Sequence, residues 1–275
     1  MKDLNAVYSY WNSRPCNIKH SSKSQDTVDF FDEVALKKYK AEPHKYEFLD
    51  LDKWKGKWVL ELGCGLGTDA IQFAKAGANI VCVDLTHNSI QLCSKNFELH
   101  GLEGDFYVAN IEELESFLPD SYKNSFDLIY SFGVIHHTPN PGNVIEQVKK
   151  FIKPDGEFRF MVYSRFSYKL FWLMNSYSHW SFDNVDELIQ KYSEAQTGCP
   201  VTYTYTFDEV AILLGNNFTI EKIWKDHIFK YDIENYKNNI FIRDKVFENV
   251  SDEYFKSLEK DLGWHTMCVS KPLNA

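Results

Sequence analysis

Residues Glu61-Leu62-Gly63-Cys64-Gly65-Leu66-Gly67 follow the apolar run Trp58-Val59-Leu60 and precede a helical segment, Thr68–Lys75. This order predicts a buried strand that ends in a glycine-rich turn opening a helix, the geometry that lets backbone N–H groups approach a nucleotide-like ligand. A dinucleotide fingerprint wants glycine at the first, third and sixth positions, and the sixth place counted from Gly63 is Thr68. Glycine recurs instead at positions 63, 65 and 67, with the acid Glu61 two residues before the first. The turn therefore points to a ligand containing adenosine rather than to a pyrophosphate-bridged dinucleotide.

That arrangement resembles motif I of the class I S-adenosylmethionine (SAM)-dependent methyltransferases. The resemblance implies an α/β fold, a seven-stranded, mostly parallel, doubly wound sheet, with SAM as cofactor. By the same resemblance Gly63, Cys64, Gly65 and Gly67 receive the methionine end of the cofactor, and Glu61 fixes the turn or the cofactor's amine.

Residues Asn79–Asp84 read as a second buried strand ending at a carboxylate. Asp84 lies about twenty residues past the glycine turn, where an acid can accept both ribose hydroxyl protons of a bound nucleoside. The plainer reading is a cap on the helix that starts near His87–Ser89. Leu85 follows as a cofactor-side neighbour. A third strand, Phe106–Ala109, runs into Asn110-Ile111. In the resembled family an acid here bonds the adenine amino group; Asn110 departs from it, although its amide oxygen can also accept. Ile111 is the candidate ring-packing partner.

The fourth strand, Phe126–Phe132, ends in Gly133-Val134-Ile135-His136-His137-Thr138-Pro139. Ser131 and Phe132 are expected on the floor of the cofactor site, and the loop lies outside the strand ends where ligands of open parallel sheets bind. By resemblance, such a His-His-Thr-Pro segment is frequent among methyltransferases acting on small molecules, lipids and quinones. His136 and His137 are candidate general bases, their ordinary pKa lying near neutrality. The bland alternative is that they shape the loop. No spaced Cys/His/Asp ligand set stands out, so no metal site is expected.

Helix Asn143–Phe151, a Lys153-Pro154-Asp155-Gly156 turn and a fifth strand, Glu157–Tyr163, complete the core. The chain thus divides into a leader over residues 1–56, a nucleotide-binding core over 57–165 and a tail over 166–275. The leader segment Tyr10–Ser21 is too mixed to be periodic, whereas residues 25–40 turn helical, with Val28, Phe31, Val34 and Leu36 or Ala35 as an apolar face. The leader is expected to cap the cofactor mouth. Many bacterial methyltransferases resemble this chain in an aromatic-x-x-Arg-Pro-Cys leader, a Tyr39…Glu42-Pro43 stretch and the double-histidine loop, over roughly residues 8–165. Arg14 is a candidate anion clamp, His20 a polar wall and Tyr39 a cofactor neighbour.

Residues 165–180 are dense in aromatics and directly follow the fifth strand, which makes an aromatic and helical insertion between the last strands a candidate lid. Tyr163 and Trp172 are its candidate substrate contacts, and aromatic faces suit a sulfonium. Tyr203–Thr206 alternates like a strand. Phe207–Leu214 reads as a helix with Thr206 as N-cap. Phe218–Trp224 and Thr266–Ser270 read as the last two strands, separated by a helical excursion over 230–263. Gly263-Trp264-His265 again resembles the family's terminus.

The net charge of −9 is spread without a strongly basic third, which disfavours a nucleic-acid substrate. The six scattered cysteines fit reduced thiols, and the absence of a long apolar run or secretory leader fits a cytoplasmic protein. The expected activity is SAM-dependent methylation of a small-molecule acceptor. The alternatives are an NAD-dependent oxidoreductase and a catalytically silent SAM-binding protein.

Overall fold

The computed structural model describes residues 3–178, 180, 181, 183, 185–193 and 198–273. The chain enters through α1 (Leu4–Ser13), α2 (Val28–Ala41) and the short α3 (Lys45–Leu49). Strand β1 (Trp58–Leu62), α4 (Ala70–Lys75), β2 (Asn79–Asp84), α5 (His87–Leu99), β3 (Asp105–Val108), β4 (Phe126–Phe132), α6 (Pro141–Phe151) and β5 (Ile152–Tyr163) follow. The tail adds α7 (Tyr168–Leu173), α8 (Val185–Tyr192), α9 (Phe207–Leu214), β6 (Phe218–Asp226), α10 (Ile233–Lys237), α11 (Asp252–Leu262) and β7 (His265–Pro272).

The seven strands form one sheet in the order β3-β2-β1-β4-β5-β7-β6. The first five run parallel, and β7 lies antiparallel between β5 and β6. Central parallel strands must be apolar on both faces because helices cover both. Accordingly Val59, Cys82, Leu128 and Tyr130 pack into one core, while Leu60, Leu62, Val81, Val83 and Ile129 pack into the other. Helix α6 seals the second face with Val144, Ile145, Val148 and Phe151, all buried on one helical stripe. The doubly wound, seven-stranded expectation holds, and β7 and β6 bring the tail into the same sheet as the core.

Several boundaries differ from the sequence reading. Helix α1 begins before the segment without periodicity and runs into its first residues, 10–13; it is capped by Asp3, whose carboxylate accepts the Asn5 N–H at 2.9 Å. Leu4, Val7 and Trp11, at i, i+3 and i+7, face one cavity, a stripe that Tyr8 and Tyr10 disguise. Helix α2 starts at its Thr27 N-cap and buries Phe30, Phe31 and Val34, whereas Leu36 faces solvent. Residues 153–156 bulge out, because Phe126 pairs with Ile152 and Leu128 with Glu157. Tyr203–Thr206 is a strap rather than a strand: the Tyr203 N–H donates to the His136 carbonyl at 2.9 Å and that of Tyr205 to Tyr163 at 2.8 Å. The stretch 230–263 is helical only at α10, a 3-10 turn Lys245–Phe247 and α11. Helix α9 has its expected Thr206 cap, completed by Glu209 as a capping box. Among the described residues no helix is long and apolar enough to cross a membrane.

Candidate functional site

The glycine turn is built from within. The N–H groups of Gly63 and Cys64 both donate to the Val83 carbonyl, at 2.7 and 3.0 Å, that of Gly67 donates to Cys64 at 2.8 Å, and that of Gly65 donates to Asp84 Oδ2 at 3.0 Å. The expectation that these amides reach a ligand is therefore corrected, since they close the turn and join it to β2. What the turn offers instead is proximity. A Cβ at Gly65, whose φ is +54°, would meet no protein atom within 4 Å, and this residue borders a cavity. A Cβ at Gly63 would lie 2.3 Å from Val134 Cγ2, and one at Gly67 would lie 2.6 Å from Cys93 Sγ.

The cavity sits at the carboxyl ends of four parallel strands. Gly63 and Gly65 follow β1, Asp84 ends β2 with Leu85 after it, Asn110 and Ile111 follow β3, and Phe132 ends β4 with Val134 and His137 after it. Leu4, Val7, Trp11, Pro15 and Cys16 of the leader roof it. Half-buried Asp84 accepts from Gly65 through Oδ2 and from both the N–H and hydroxyl of Thr86, each at 2.9 Å, through Oδ1. Burial raises its pKa against the pull of those bonds. Thr86, not Asp84, caps α5. Both carboxylate oxygens are thus already engaged, which leaves less of the group for a twofold grip on a sugar. Asn110 Oδ1 accepts the Glu112 N–H at 3.1 Å and so caps the 3-10 turn Ile111–Ser116, a bond that competes with any adenine contact through that oxygen. Ser131 donates to the Leu62 carbonyl at 3.2 Å and is fully buried, below rather than on the cavity floor.

The two adjacent histidines separate. His137 borders the cavity, tilts against Trp11 with 5.4 Å between ring centroids, and places Nδ1 2.7 Å from the Val201 carbonyl. A carbonyl only accepts, so Nδ1–H donates to it and, in the neutral ring, the buried Nε2 keeps the lone pair. His136 is fully buried against Tyr163, 3.8 Å between centroids, and neither of its nitrogens has a hydrogen-bond partner among the described residues. Burial pushes its pKa well below the usual range, and His137 adds to the push. As a base in contact with a ligand, His136 is corrected by its place behind the cavity wall.

The other candidates lie outside this cavity lining. Tyr39 donates to Asp69 Oδ1 at 2.8 Å, Tyr130 donates to Oδ2 at 3.0 Å, and buried Lys45 pairs with the same carboxylate at 2.6 Å. This charged knot lies behind the glycine turn, and sequence reading missed both Asp69 and Lys45. Glu61 borders it: burial, then Asp69, pushes its carboxyl well above the usual range, and its Oε2 has no hydrogen-bond partner among the described residues. Arg14 stacks on Tyr10, 4.7 Å from the ring centroid. His20 binds the Tyr236 hydroxyl at 3.1 Å and ties leader to tail, with burial lowering its pKa to about 4. Tyr163 is sandwiched between His136 and Trp264. Trp172 packs on Tyr177 at the surface of the insertion, and His179 of the same stretch lies outside the described residues. Leu170, Leu173 and Met174 carry that insertion's burial, while Phe166, Phe171 and Trp180 are exposed.

Two further clusters arise only in three dimensions. Cys64, Cys82 and Cys93 converge behind the turn, where burial pushes each thiol well above its ordinary pKa and keeps it a small neutral core group. His44, His227 and His265 converge beside Phe132.

Comparison with known proteins completes the picture. Residues 53–197 match the family described as "Methyltransferase domain". The ubiquinone biosynthesis O-methyltransferase of Actinobacillus pleuropneumoniae serotype 7 is 34% identical over 110 residues, 40% of this chain and 47% of the relative. That of Erwinia tasmaniensis is 29% identical over 119 residues, 43% and 46% of the two. The chain spans about half the length of the curated relatives it matches. Among solved structures, PH0226 from Pyrococcus horikoshii OT3 aligns with a TM-score of 0.58 at 16% identity, over 96% of this chain and 99% of that one. The magnesium protoporphyrin IX methyltransferase of Synechocystis PCC 6803, solved with bound SAH, aligns with a TM-score of 0.59 at 12% identity, over 98% and 99%. At these identities the structural likeness speaks for the fold.

Proposed function

The chain belongs to the methyltransferase-domain family, and on that premise we propose that it transfers the methyl group of SAM to a small-molecule hydroxyl. The observation that carries this reading is the junction of turn and acid: an open backbone face at Gly65, bonded directly to Asp84, at the mouth of a cavity bordered by four strand ends. The residues present fit the cofactor. Gly65 leaves room where any side chain would intrude, and the orphaned Glu61 oxygen behind the turn suits a cationic amine. Nothing in the comparisons supports a nicotinamide-dependent oxidoreductase.

In this reading Gly63, Gly65 and Gly67, with Cys64 between them, would shape the seat of the amino-acid arm, the Glu61 carboxyl would ionise against its amine, and Asp84 would accept from the sugar. Leu85, Ile111 and Phe132 pack on the flat groups, with Asn110 at the adenine edge. Bound there, the cofactor supplies a methyl group already made electrophilic by its sulfonium. The protein then has to align an acceptor, exclude water and take a proton. Helix α1 and Pro15-Cys16 exclude water from above. His137, held by Val201 in the tautomer with its Nε2 lone pair, takes the proton from the acceptor hydroxyl. The curated relatives are named O-methyltransferases, which favours oxygen as the acceptor atom. We place the reaction in the cytoplasm, where the free thiols stay reduced.

The test is incubation with SAM carrying a labelled methyl group and a panel of phenolic and other hydroxyl compounds. Label in an extractable product supports the reading. Cofactor binding without label transfer to any small molecule, or transfer only to nucleic acid, contradicts it.

A further inference from the structure

His44, His227 and His265 come from three distant segments: the residue before α3, the residue after β6 and the first residue of β7. One ring nitrogen of each lies within 4.8 Å of the others, and His44 Nε2 is 3.0 Å from His265 Nδ1. The rings of His227 and His265 are 4.4 Å apart between centroids, and those of His44 and His227 are 5.3 Å apart. Three nitrogens on one tetrahedral zinc-class ion stand about 3.3 Å apart, given metal–nitrogen distances near 2.0–2.1 Å. The cluster therefore needs a contraction of no more than roughly 1.5 Å, a side-chain movement, to close on an ion.

Three features set this cluster apart from ordinary core. Three imidazole rings meet where apolar side chains would otherwise fill the space, with His44 and His265 sharing the 3.0 Å hydrogen bond between them. His227 holds a φ of +66°, a left-handed conformation uncommon outside glycine, which aims its ring at the other two. Its carbonyl accepts from Trp264 at 2.8 Å, and Gly263 admits the Asp226 carbonyl so closely that a Cβ there would stand 2.3 Å away. The backbone is thus pinned in the strained form from both sides.

Carboxylates also surround the rings. Asp226 Oδ1 lies 3.9 Å from His44 Nδ1 and accepts the main-chain N–H of His227 at 2.8 Å. Half-buried Glu42 interacts electrostatically with His44 and His227; its Oε1 pairs with Lys38, and its Oε2 has no hydrogen-bond partner among the described residues. Carboxylates behind imidazoles are the usual means of orienting metal ligands, and Asp226 stands in that position behind His44.

We propose that His44, His227 and His265 bind one divalent transition-metal ion of the zinc class, with Asp226 and Glu42 as its outer carboxylates. Neutral imidazole nitrogens select such ions over magnesium or calcium, and three protein ligands leave a fourth position for water or a ligand oxygen. The cluster lies against Phe132, 5.4 Å from His265 and 6.1 Å from His44 between centroids, and Phe132 borders the cavity described above. The ion would sit one aromatic ring away from that cavity. The proposal is independent of methyl transfer, since binding is read without cofactor or acceptor.

Cobalt(II) is the probe. The full chain, stripped with chelator and titrated with cobalt(II), is expected to develop the intense visible absorption of a tetrahedral ion at one equivalent per chain, and zinc is expected to abolish it. H227A and H265A should weaken cobalt binding by more than the ~10–100-fold that loss of an outer partner costs. H44Q keeps a similar shape, and H87A alters an exposed histidine outside the cluster; the first should lose the band and the second keep it. Circular dichroism accompanies each variant so that loss of fold is separated from loss of ligand. A wild-type chain with no such band, or one whose band survives in a folded H44Q or H227A, overturns the proposal.

Discussion

The Gly65 N–H donates to Asp84 Oδ2 at 3.0 Å, so the turn after β1 and the acid ending β2 form one unit rather than two independent contacts. Either residue positions the other. A ligand seated on the open face of Gly65 lies beside a carboxylate that the same amide holds in place.

Substitutions within the turn should separate stability from binding. Gly63→Ala drives a Cβ into Val134 and should destabilise by about 1–3 kcal/mol through overpacking, with about 1–2 kcal/mol more for its left-handed backbone. Gly65→Ala meets no protein atom, so it should cost only the backbone share while weakening SAM binding more than Gly63→Ala does. Thermal melts and calorimetry on the two variants read both effects. Equal binding losses would dissociate the cavity from the cofactor.

His137 and His136 should behave differently despite being neighbours. His137→Gln is expected to reduce turnover about 10²–10⁴-fold and to flatten the pH–rate profile, with cofactor affinity kept. His136→Gln, behind the cavity wall, should leave the profile's shape intact. Steady-state rates across pH decide between them.

Tyr39 is expected to act on the fold rather than the ligand. Tyr39→Phe removes one of the donors to the buried Asp69 and should destabilise by about 1–3 kcal/mol. Its SAM affinity, measured by calorimetry, should match wild type. A large affinity loss in a well-folded variant would return Tyr39 to the cofactor.

Acid should unfold the protein partly through His20. Its folded pKa, near 4, lies below the ordinary 6.5, so its contribution is fully present above pH 6.5 and is lost as pH falls toward 4. At 1.36 kcal/mol per pKa unit this amounts to about 3–4 kcal/mol at most. Urea unfolding at pH 7, 5.5 and 4.5 should show a slope with pH that His20→Gln reduces by about one proton. An unchanged slope would mean that the ring is solvated.

The sheet and the cofactor-side residues were legible because their signals are local. A run of β-branched residues, a glycine turn and an acid at a fixed distance are written within thirty residues of chain. Asp84 and Phe132 therefore fell at the cavity as read, whereas the amides of the turn did not point into it. Their partners, the Val83 carbonyl and Asp84, lie on another strand. Helix α1 stayed hidden because Tyr8 and Tyr10 blur its apolar stripe. The Lys45–Asp69 pair and the three histidines at 44, 227 and 265 were illegible for a different reason: Lys45 reaches Asp69 only when α3 packs behind the glycine turn, and the histidines, separated by up to 221 residues, meet only when β6 and β7 fold back beside the leader.

Isothermal titration of the folded, full-length chain with SAM tests the central claim most directly. The account predicts saturable binding at one molecule per chain that Asp84→Ala weakens at least about tenfold, the equivalent of one lost buried hydrogen bond of roughly 1.4 kcal/mol. No heat of binding at high micromolar SAM, in a sample whose circular dichroism shows the fold intact, would contradict it.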